Sequence, residues 1–184
     1  MKKLWIIGGI VVVAAVVLTI VLTTSKTKKA AAPSSSTSTQ TSSTAGTAKK
    51  ACDLFTLADA KQVLGADAKQ GTSAPATSSP DLDVSVCIYT TSATGLSAPT
   101  ASLLARVPKS TFGTNSNKLQ FTTSKPATQS VSGYGDAAYW DPQYGQLNVL
   151  KHNTWYIISN GPINPALHTL DKAKQLADVL ISKL

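Results

Sequence analysis

The sequence predicts an α+β fold with two layers, in which helices pack on one face of an antiparallel sheet of about five strands. Short runs rich in β-branched and aromatic residues, separated by turn residues, follow one another in the second half of the chain. Apolar residues at helical spacing occur at both ends of this region. A sheet is the only large apolar surface on which such helices can bury their apolar faces. The domain spans residues 51–184, and a transmembrane helix and a disordered stalk are expected to precede it.

An uncharged apolar segment near the N-terminus predicts the membrane helix. Residues 4–22 are dense in Ile, Val, Leu and Ala and follow a cytoplasmic tip, residues 1–3, that carries two lysines. A helix of that length rises about 28 Å, which is close to the thickness of the bilayer hydrocarbon core. A cleavable signal peptide has a shorter apolar region with a small-residue site close behind it, whereas here three lysines lie between the apolar segment and Ala30. We therefore expect an uncleaved single-pass anchor.

The segment between the anchor and the domain has the composition of a disordered linker. Residues 23–50 consist mainly of Ser, Thr, Ala and Lys and contain no aromatic or large aliphatic residue that could form a core. Most of the net charge of +8 also lies before the domain, because residues 1–50 contain seven lysines and no acidic residue. From Ala51 onward ten basic residues accompany nine acidic ones. The charge distribution therefore argues against nucleic acid as a partner, since binding to phosphate backbones needs clustered basic residues.

The first half of the domain predicts one short helix, two paired strands and a weak second helix. Thr56 and Asp59 form a capping box, and Gly65 ends the helix that they begin. Residues 67–83 are rich in Ser, Thr, Ala and Pro, which is typical of a loop. The two strands are expected at 84–91 and 100–107, and the weak helix at 110–124 is lined by Phe112, Leu119 and Phe121.

The second half of the domain predicts an antiparallel meander of three strands, at residues 137–141, 146–151 and 154–159. The turn at residues 152–153 joins the last two strands. Whether this turn holds two or three residues decides whether Val149 lies beside Tyr156 or beside Trp155, and the sequence leaves both registers open.

A C-terminal helix follows the meander. Asn164 is a candidate cap, and Pro165 occupies the first helical position, where proline is favoured. Apolar residues then recur at alternating steps of four and three residues as far as Leu184. This spacing predicts an amphipathic helix that packs on the sheet.

The only two cysteines, Cys52 and Cys87, both lie in the expected domain. Two thiols cannot complete a tetrahedral zinc site, and the chain has only two histidines, so no metal site is predicted. A disulfide is favoured, and the alternative is two unpaired core thiols in a reducing compartment. Lysines flank the apolar segment on both sides and leave its orientation open. A disulfide would resolve the orientation, because it belongs in an oxidising compartment outside the cytoplasm.

Several short segments, in their order and spacing, resemble a known family. They are residues 52–65, residues 87–89 and residues 133–140, followed by an apolar hairpin and a terminal amphipathic helix. Over residues 51–184 the chain resembles a domain of unknown function that is common in secreted lipoproteins of Gram-positive, especially actinobacterial, species. It is more distantly similar to extracytoplasmic sensor domains of some bacterial Ser/Thr kinases.

The resemblance implies a Cys52–Cys87 disulfide and an extracytoplasmic location, and it implies no catalytic residue. The chain departs from the usual lipoprotein layout, because a spanning segment stands where a lipidated cysteine would be.

No motif in the sequence indicates catalysis, and neither a catalytic residue nor a cofactor is predicted. The chain lacks a Gly-x-Ser-x-Gly nucleophile elbow and contains no glutamate. Gly133 and Gly135 lead into a strand and not into a helix N-terminus, so they favour a turn over a phosphate cradle. An envelope enzyme with an unfamiliar, hydrolase-like site near Asp136 and His152 is the alternative hypothesis.

The meander concentrates the aromatic side chains of the domain. They either pack within the sheet or form an exposed platform for a cell-wall glycan, a lipid or an envelope protein. We expect a membrane-anchored binding or sensing module of the bacterial cell envelope, with its C-terminal domain outside the cytoplasm, and an accessory subunit of a membrane complex is a further alternative. The candidate ligand contacts are Tyr134, Asp136, Trp140, Tyr144 and Trp155.

Overall fold

The computed structural model describes residues 49–127 and 129–184. The predicted anchor at 4–22 and the predicted stalk, apart from its last two residues, lie outside the described residues. Among the helices that the structure describes, none has both the length and the apolar character needed to cross a bilayer.

The described residues form an α+β domain with an antiparallel sheet, as the sequence predicts. Five strands are long, and they match the five expected strands to within a few residues. Two further strands of two residues each lie in the expected loop. The strands are β1 (Lys69–Gln70), β2 (Thr77–Ser78), β3 (Leu82–Thr90), β4 (Pro99–Pro108), β5 (Ala137–Asp141), β6 (Gln146–Lys151) and β7 (Thr154–Pro162). Their order in the sheet is β1-β3-β4-β7-β6-β5, and β2 also pairs with β3.

In the described ranges, four α-helices and one 3₁₀ turn accompany the sheet. The helices are α1 (Ala51–Leu54), α2 (Leu57–Leu64), α3 (Thr111–Ser124) and α4 (Leu170–Leu180), and the 3₁₀ turn is Pro165–Leu167. The predicted capping box starts α2: the Thr56 backbone N–H donates to the Asp59 carboxylate at 2.8 Å, and the Asp59 N–H donates to Thr56 Oγ1 at 3.4 Å. The C-terminal helix differs from the prediction, because Asn164 caps only the 3₁₀ turn and Thr169 caps the helix itself.

The main hydrophobic core lies between the first face of the sheet and helices α1, α2 and α4. Its sheet residues face one another across the strand pairs, as Cys87 does with Leu103 and Leu103 with Ile158. Helix α4 contributes four fully buried apolar residues to the same core, which are Ala173, Leu176, Ala177 and Leu180.

The prediction that helices cover only one face of the sheet is wrong, because α3 packs on the second face. Phe121 of α3 contacts Tyr139 and Trp155 edge to face, with ring centroids 4.9 Å and 6.2 Å apart. Consecutive residues of a strand point to opposite faces. Tyr139 therefore lies on the second face, whereas its neighbour Trp140 belongs to the main core. Aromatic residues thus give the sheet a second apolar face under α3.

A buried asparagine attaches α3 to the sheet. Asn117 is fully buried, and its amide donates to the Arg106 carbonyl at 2.7 Å and to the Asn153 carbonyl at 3.0 Å. Its carbonyl accepts from Arg106 Nε at 3.3 Å, and the guanidinium of Arg106 lies 5.2 Å from the centre of the Trp155 ring. These contacts explain why a segment with few apolar residues packs as a helix here.

The turn between β6 and β7 has two residues. His152 and Asn153 have φ values of 49° and 66°, as a type I′ turn requires. Val149 therefore lies beside Tyr156, which settles the register that the sequence left open.

The predicted disulfide between Cys52 and Cys87 is present and joins α1 to β3, near one edge of the sheet. The two Cα atoms are 4.9 Å apart, and 35 residues separate the cysteines along the chain. In the same region the Ala51 N–H donates to Ser85 Oγ at 2.8 Å. The chain therefore enters the domain beside the first residues of β3.

We expect the capping carboxylate of Asp59 to make stability depend on pH. Burial raises the pKa of Asp59, but hydrogen bonds from Lys183 and from Thr56 outweigh burial and hold the pKa below 3.8. A lowered pKa in the folded state stabilises the fold above the unfolded pKa, and this stabilisation is lost as the pH falls through the folded pKa. Asp59→Asn should cost about 2 kcal/mol in the free energy of unfolding at pH 7.

Urea unfolding of residues 49–184, followed by tryptophan fluorescence between pH 7 and pH 2.5, measures this effect. The difference between Asp59→Asn and the parent should shrink as the pH falls below about 4 and vanish below the folded pKa, because the unfolded chain binds the proton first and the folded carboxyl becomes neutral last. Asp53→Asn is the matched control, since the Asp53 carboxylate caps α1 by the same geometry but is exposed. A difference that stays constant over the whole pH range would contradict the assignment.

Candidate functional site

Exposed apolar side chains gather at one end of the sheet. In the antiparallel order, β3, β5 and β7 end where β4 and β6 begin. The connections 91–98, 142–145 and 163–169 therefore lie at this end. They carry four large apolar residues whose side chains are more than half exposed, a pattern that marks binding surfaces in soluble domains. We call these residues the apolar end: Leu96, Tyr144, Ile163 and Leu167.

A cleft of about 440 Å³ opens at the apolar end. This volume lies within the range of roughly 300–1,000 Å³ that is typical of small-molecule sites. Its apolar lining comes from the C-terminal turn of α2, the start of β4, the end of β7 and the 3₁₀ turn, so that distant segments converge on it. These lining residues are Val63, Leu64, Pro99, Pro162 and Leu167.

The neutral polar groups of the cleft are bonded within the protein. The Asn160 amide donates to the Lys172 carbonyl at 2.8 Å, and Thr169 Oγ1 accepts from the Lys172 N–H at 3.3 Å. The Gly161 carbonyl accepts from Thr100 Oγ1 at 3.1 Å. Among the lining residues that the structure describes, the charged one is Lys172, which forms no ion pair with any residue of the described ranges. The cleft therefore combines apolar walls with one lysine at its border that lacks an ion-pair partner there.

His168 holds the 3₁₀ turn against the sheet and so fixes one wall of the cleft. Its Nδ1 lies 2.8 Å from the Gly145 carbonyl oxygen, and its Nε2 lies 2.6 Å from the Pro162 carbonyl oxygen. The backbone of His168 is extended, with φ −71° and ψ 146°. This conformation keeps the helix from passing through residue 168, and α4 therefore begins later than the sequence predicts.

Two glycines leave the space that the imidazole of His168 occupies. A Cβ atom at Gly145 would lie 2.4 Å from the His168 Cβ, and one at Gly161 would lie 2.6 Å from its Cδ2. Gly145 also has a φ of 61°, which disfavours any residue with a side chain. No local sequence pattern relates His168 to Gly145, because the two residues are 23 positions apart in the chain.

The two tryptophans among the predicted ligand contacts are buried on opposite faces of the sheet. Trp140 is 7% exposed and belongs to the main core, whereas Trp155 is 7% exposed and lies under α3. The Trp155 indole N–H donates to Asn148 Oδ1 at 3.0 Å. The structure therefore does not bring these two side chains together into one platform. Tyr144, which is 56% exposed, lies at the apolar end.

The other two predicted contacts, Tyr134 and Asp136, make hydrogen bonds within the domain. The Tyr134 hydroxyl donates to Asp178 Oδ1 at 2.8 Å, and burial together with this bond raises the pKa of Tyr134 to about 12. The Asp136 carboxylate accepts from the His152 backbone N–H at 2.9 Å and so caps the turn between β6 and β7. The contact between Asp136 and His152 thus involves the backbone of the histidine, which does not favour an acid–base pair. In the described ranges, no cluster of three or more His, Cys, Asp or Glu residues could hold a metal ion.

A smaller cleft of about 270 Å³ lies at the opposite end of the sheet, where the chain enters the domain. Lys50 and Asp83 are among its lining residues. The Asp83 carboxylate pairs with Lys109 at 3.3 Å and accepts from Ser78 Oγ, and these bonds contribute to lowering the pKa of Asp83. The largest contribution is the Ser78 bond, which outweighs the effect of burial. The Asp83 carboxylate of this cleft is therefore already paired with groups of the protein.

Comparison of the chain with protein-family models, with curated proteins and with solved structures found no match in any of the three. The cleft and the apolar end are therefore the features from which a function can be inferred.

Proposed function

We propose that the chain is a membrane-anchored binding module on the outer side of a bacterial membrane, and that the cleft at the apolar end receives an apolar ligand. The observation that carries the proposal is a concave apolar site whose rim exposes Leu96, Ile163 and Leu167. Exposed apolar side chains beside a lined cavity are the usual features of a ligand site. The module binds and does not catalyse.

Two observations and the expected family resemblance support the proposed location outside the cytoplasm. A disulfide persists in an oxidising compartment, and Cys52 and Cys87 form one. The uncharged segment at residues 4–22 has the length of a membrane anchor. The family resemblance of residues 51–184 points to the envelope as well.

The position at which the chain enters the domain also supports ligand access to the cleft. Ala51 is hydrogen-bonded to Ser85 near the start of β3, whereas the cleft lies at the end of the sheet where β3 finishes. Residues 49–51 therefore lie toward the end of the sheet opposite the cleft, and they leave the apolar end open to a ligand.

Photolabelling of intact cells tests the proposal. The full chain is produced in a Gram-positive host, exposed to a small neutral apolar diazirine, irradiated and then treated with added protease. We expect labelled peptides that contain Leu64 or Leu167 in the medium. Val63→Trp, which fills the cleft, should reduce this labelling about tenfold, the change that corresponds to 1.4 kcal/mol in affinity.

Leu119→Trp is the matched control for this experiment, because Leu119 is 66% exposed on α3 and lies outside the cleft. In this variant, the peptides that contain Leu64 or Leu167 should be labelled to the same extent as in the parent chain. Labelled domain that is released only after the cells are lysed would contradict the location. Labelling that Val63→Trp leaves unchanged would contradict the site.

A further inference from the structure

We propose that the ligand of the cleft is a single-chain anionic amphiphile, that is, an acyl chain with one anionic head group, bound with its head group at Lys172. This inference rests on the proposed function and names the ligand class for the same cleft. The apolar residues that line the cleft would contact the acyl chain of the ligand, and Leu96 and Ile163 extend the apolar surface beyond the rim.

The first argument is the charge of the cleft. Of the described residues that line the cleft, Lys172 alone is charged, and the described ion pairs, Lys109 with Asp83 and Lys183 with Asp59, do not involve it. A lysine stem packs along apolar surface while its ammonium stays at the polar rim. A cleft with apolar walls and one positive charge is complementary to a ligand with an apolar tail and one negative charge.

The second argument is the N-terminus of α4. Thr169, the cap of this 11-residue helix, lines the cleft, so the first turn of α4 borders it. The N-terminus of a helix carries a partial positive charge that favours anions. Asp171 also lies in this turn, but it is exposed and does not line the cleft. The helix terminus and Lys172 therefore place positive charge at the same side of the cleft.

The third argument concerns the neutral polar groups, which disfavour a sugar. A glycan is held by several free donors and acceptors that converge on its hydroxyls. The Asn160 amide, Thr169 Oγ1 and the Gly161 carbonyl instead bond to the protein itself. A long apolar chain requires no such partners. The volume of about 440 Å³ is in the lower half of the range of small-molecule sites, which favours one chain over two.

Photoreactive lipids of different charge test the inference on the full chain in nanodiscs of neutral phospholipid. The probes carry the same diazirine-bearing chain and end in a carboxylate, a hydroxyl or an ammonium group. We expect the carboxylate probe to label peptides containing Leu64 or Leu167 about tenfold more than the hydroxyl probe. The ammonium probe should label them least. A fourth probe, a lysophosphatidate, distinguishes a phosphate head group from a carboxylate as the preferred anion.

Lys172→Gln should remove the preference for the anionic probes and keep the labelling by the hydroxyl probe. Lys174→Gln is the matched control, because Lys174 lies on the same helix and does not line the cleft. Circular dichroism of both variants verifies the fold. Equal labelling of the parent chain by all probes would overturn the inference and leave the proposed function standing.

Two other outcomes would overturn the amphiphile as the ligand, and the first of them would also overturn the proposed function. The absence of cleft labelling by every probe would overturn both the inference and the proposed function. Cross-linking of the cleft peptides to a protein from added envelope extract, with exclusion of the probes, would overturn the amphiphile and assign the cleft to a protein partner.

Discussion

Replacing Cys52 with serine is expected to lower the free energy of unfolding of the domain by about 3–4 kcal/mol, because the disulfide closes a loop over a sequence separation of 35 residues. The bridge removes conformational freedom from the unfolded chain, and its loss restores that freedom. The substitution also leaves Cys87, which is fully buried, as a free thiol. Urea unfolding of residues 49–184, measured by tryptophan fluorescence, gives the change directly.

The double variant, in which serine replaces both Cys52 and Cys87, separates the two contributions. It lacks the bridge and also places a serine hydroxyl at a fully buried position. It should therefore be less stable than the single variant. The parent domain in reducing buffer is the matched control, and it should unfold as easily as Cys52→Ser. A loss below about 1 kcal/mol for the single variant would show that the bridge contributes far less than the chain-entropy argument requires.

Trp155→Ala is expected to destabilise the domain by about 4 kcal/mol and to loosen α3 selectively. The ring of Trp155 supports Phe121 of α3 on the second face and lies under the Arg106 guanidinium. Truncation of a buried tryptophan removes its apolar contacts and leaves a cavity, at a cost of about 3–5 kcal/mol. Hydrogen exchange should become faster in α3 before it becomes faster in α4, which packs on the other face.

Two variants make this test specific. Trp155→Phe keeps most of the apolar volume and loses the hydrogen bond to Asn148, so it should cost about 1–2 kcal/mol. Tyr144→Ala removes an exposed aromatic side chain and should change the stability by less than about 0.5 kcal/mol. If Trp155→Ala were as stable as Tyr144→Ala, the packing of α3 on the second face would be disproved.

The parts of the fold that depend on local chemistry could be predicted from the sequence. Thr56 and Asp59 are three residues apart, so their capping box is visible in the chain and marks the start of α2. The long strands are visible for the same reason, because alternation and turn residues are local patterns. The disulfide was favoured because the chain holds only two cysteines.

The packing of α3 could not be predicted, because its apolar residues do not share one buried face. Phe112 and Leu119 are exposed, and Phe121 alone of the three is buried. What attaches the helix is Asn117, a polar residue that binds carbonyls from two distant segments. Polar contacts of this kind leave no periodic pattern in a sequence.

The candidate site cannot be predicted from the sequence for a related reason. Val63, Pro99 and Leu167 come from segments far apart in the chain and meet only after the sheet has formed. The aromatic residues of the meander are close together in the sequence, but adjacent strand residues point to opposite faces, and Trp140 and Trp155 are buried on different sides. Of the predicted contacts, Tyr144 lies at the apolar end.

The position of the disulfide also determines what a single proteolytic cut can do. Residues 74–80 are all exposed, and they lie between Cys52 and Cys87. A protease that hydrolyses one peptide bond there produces two fragments that the sulfur–sulfur bond still joins. The fragment that carries most of the cleft consequently stays covalently attached to the N-terminal segment until the bond is reduced. A nick in this stretch therefore yields two chains that remain one covalent molecule.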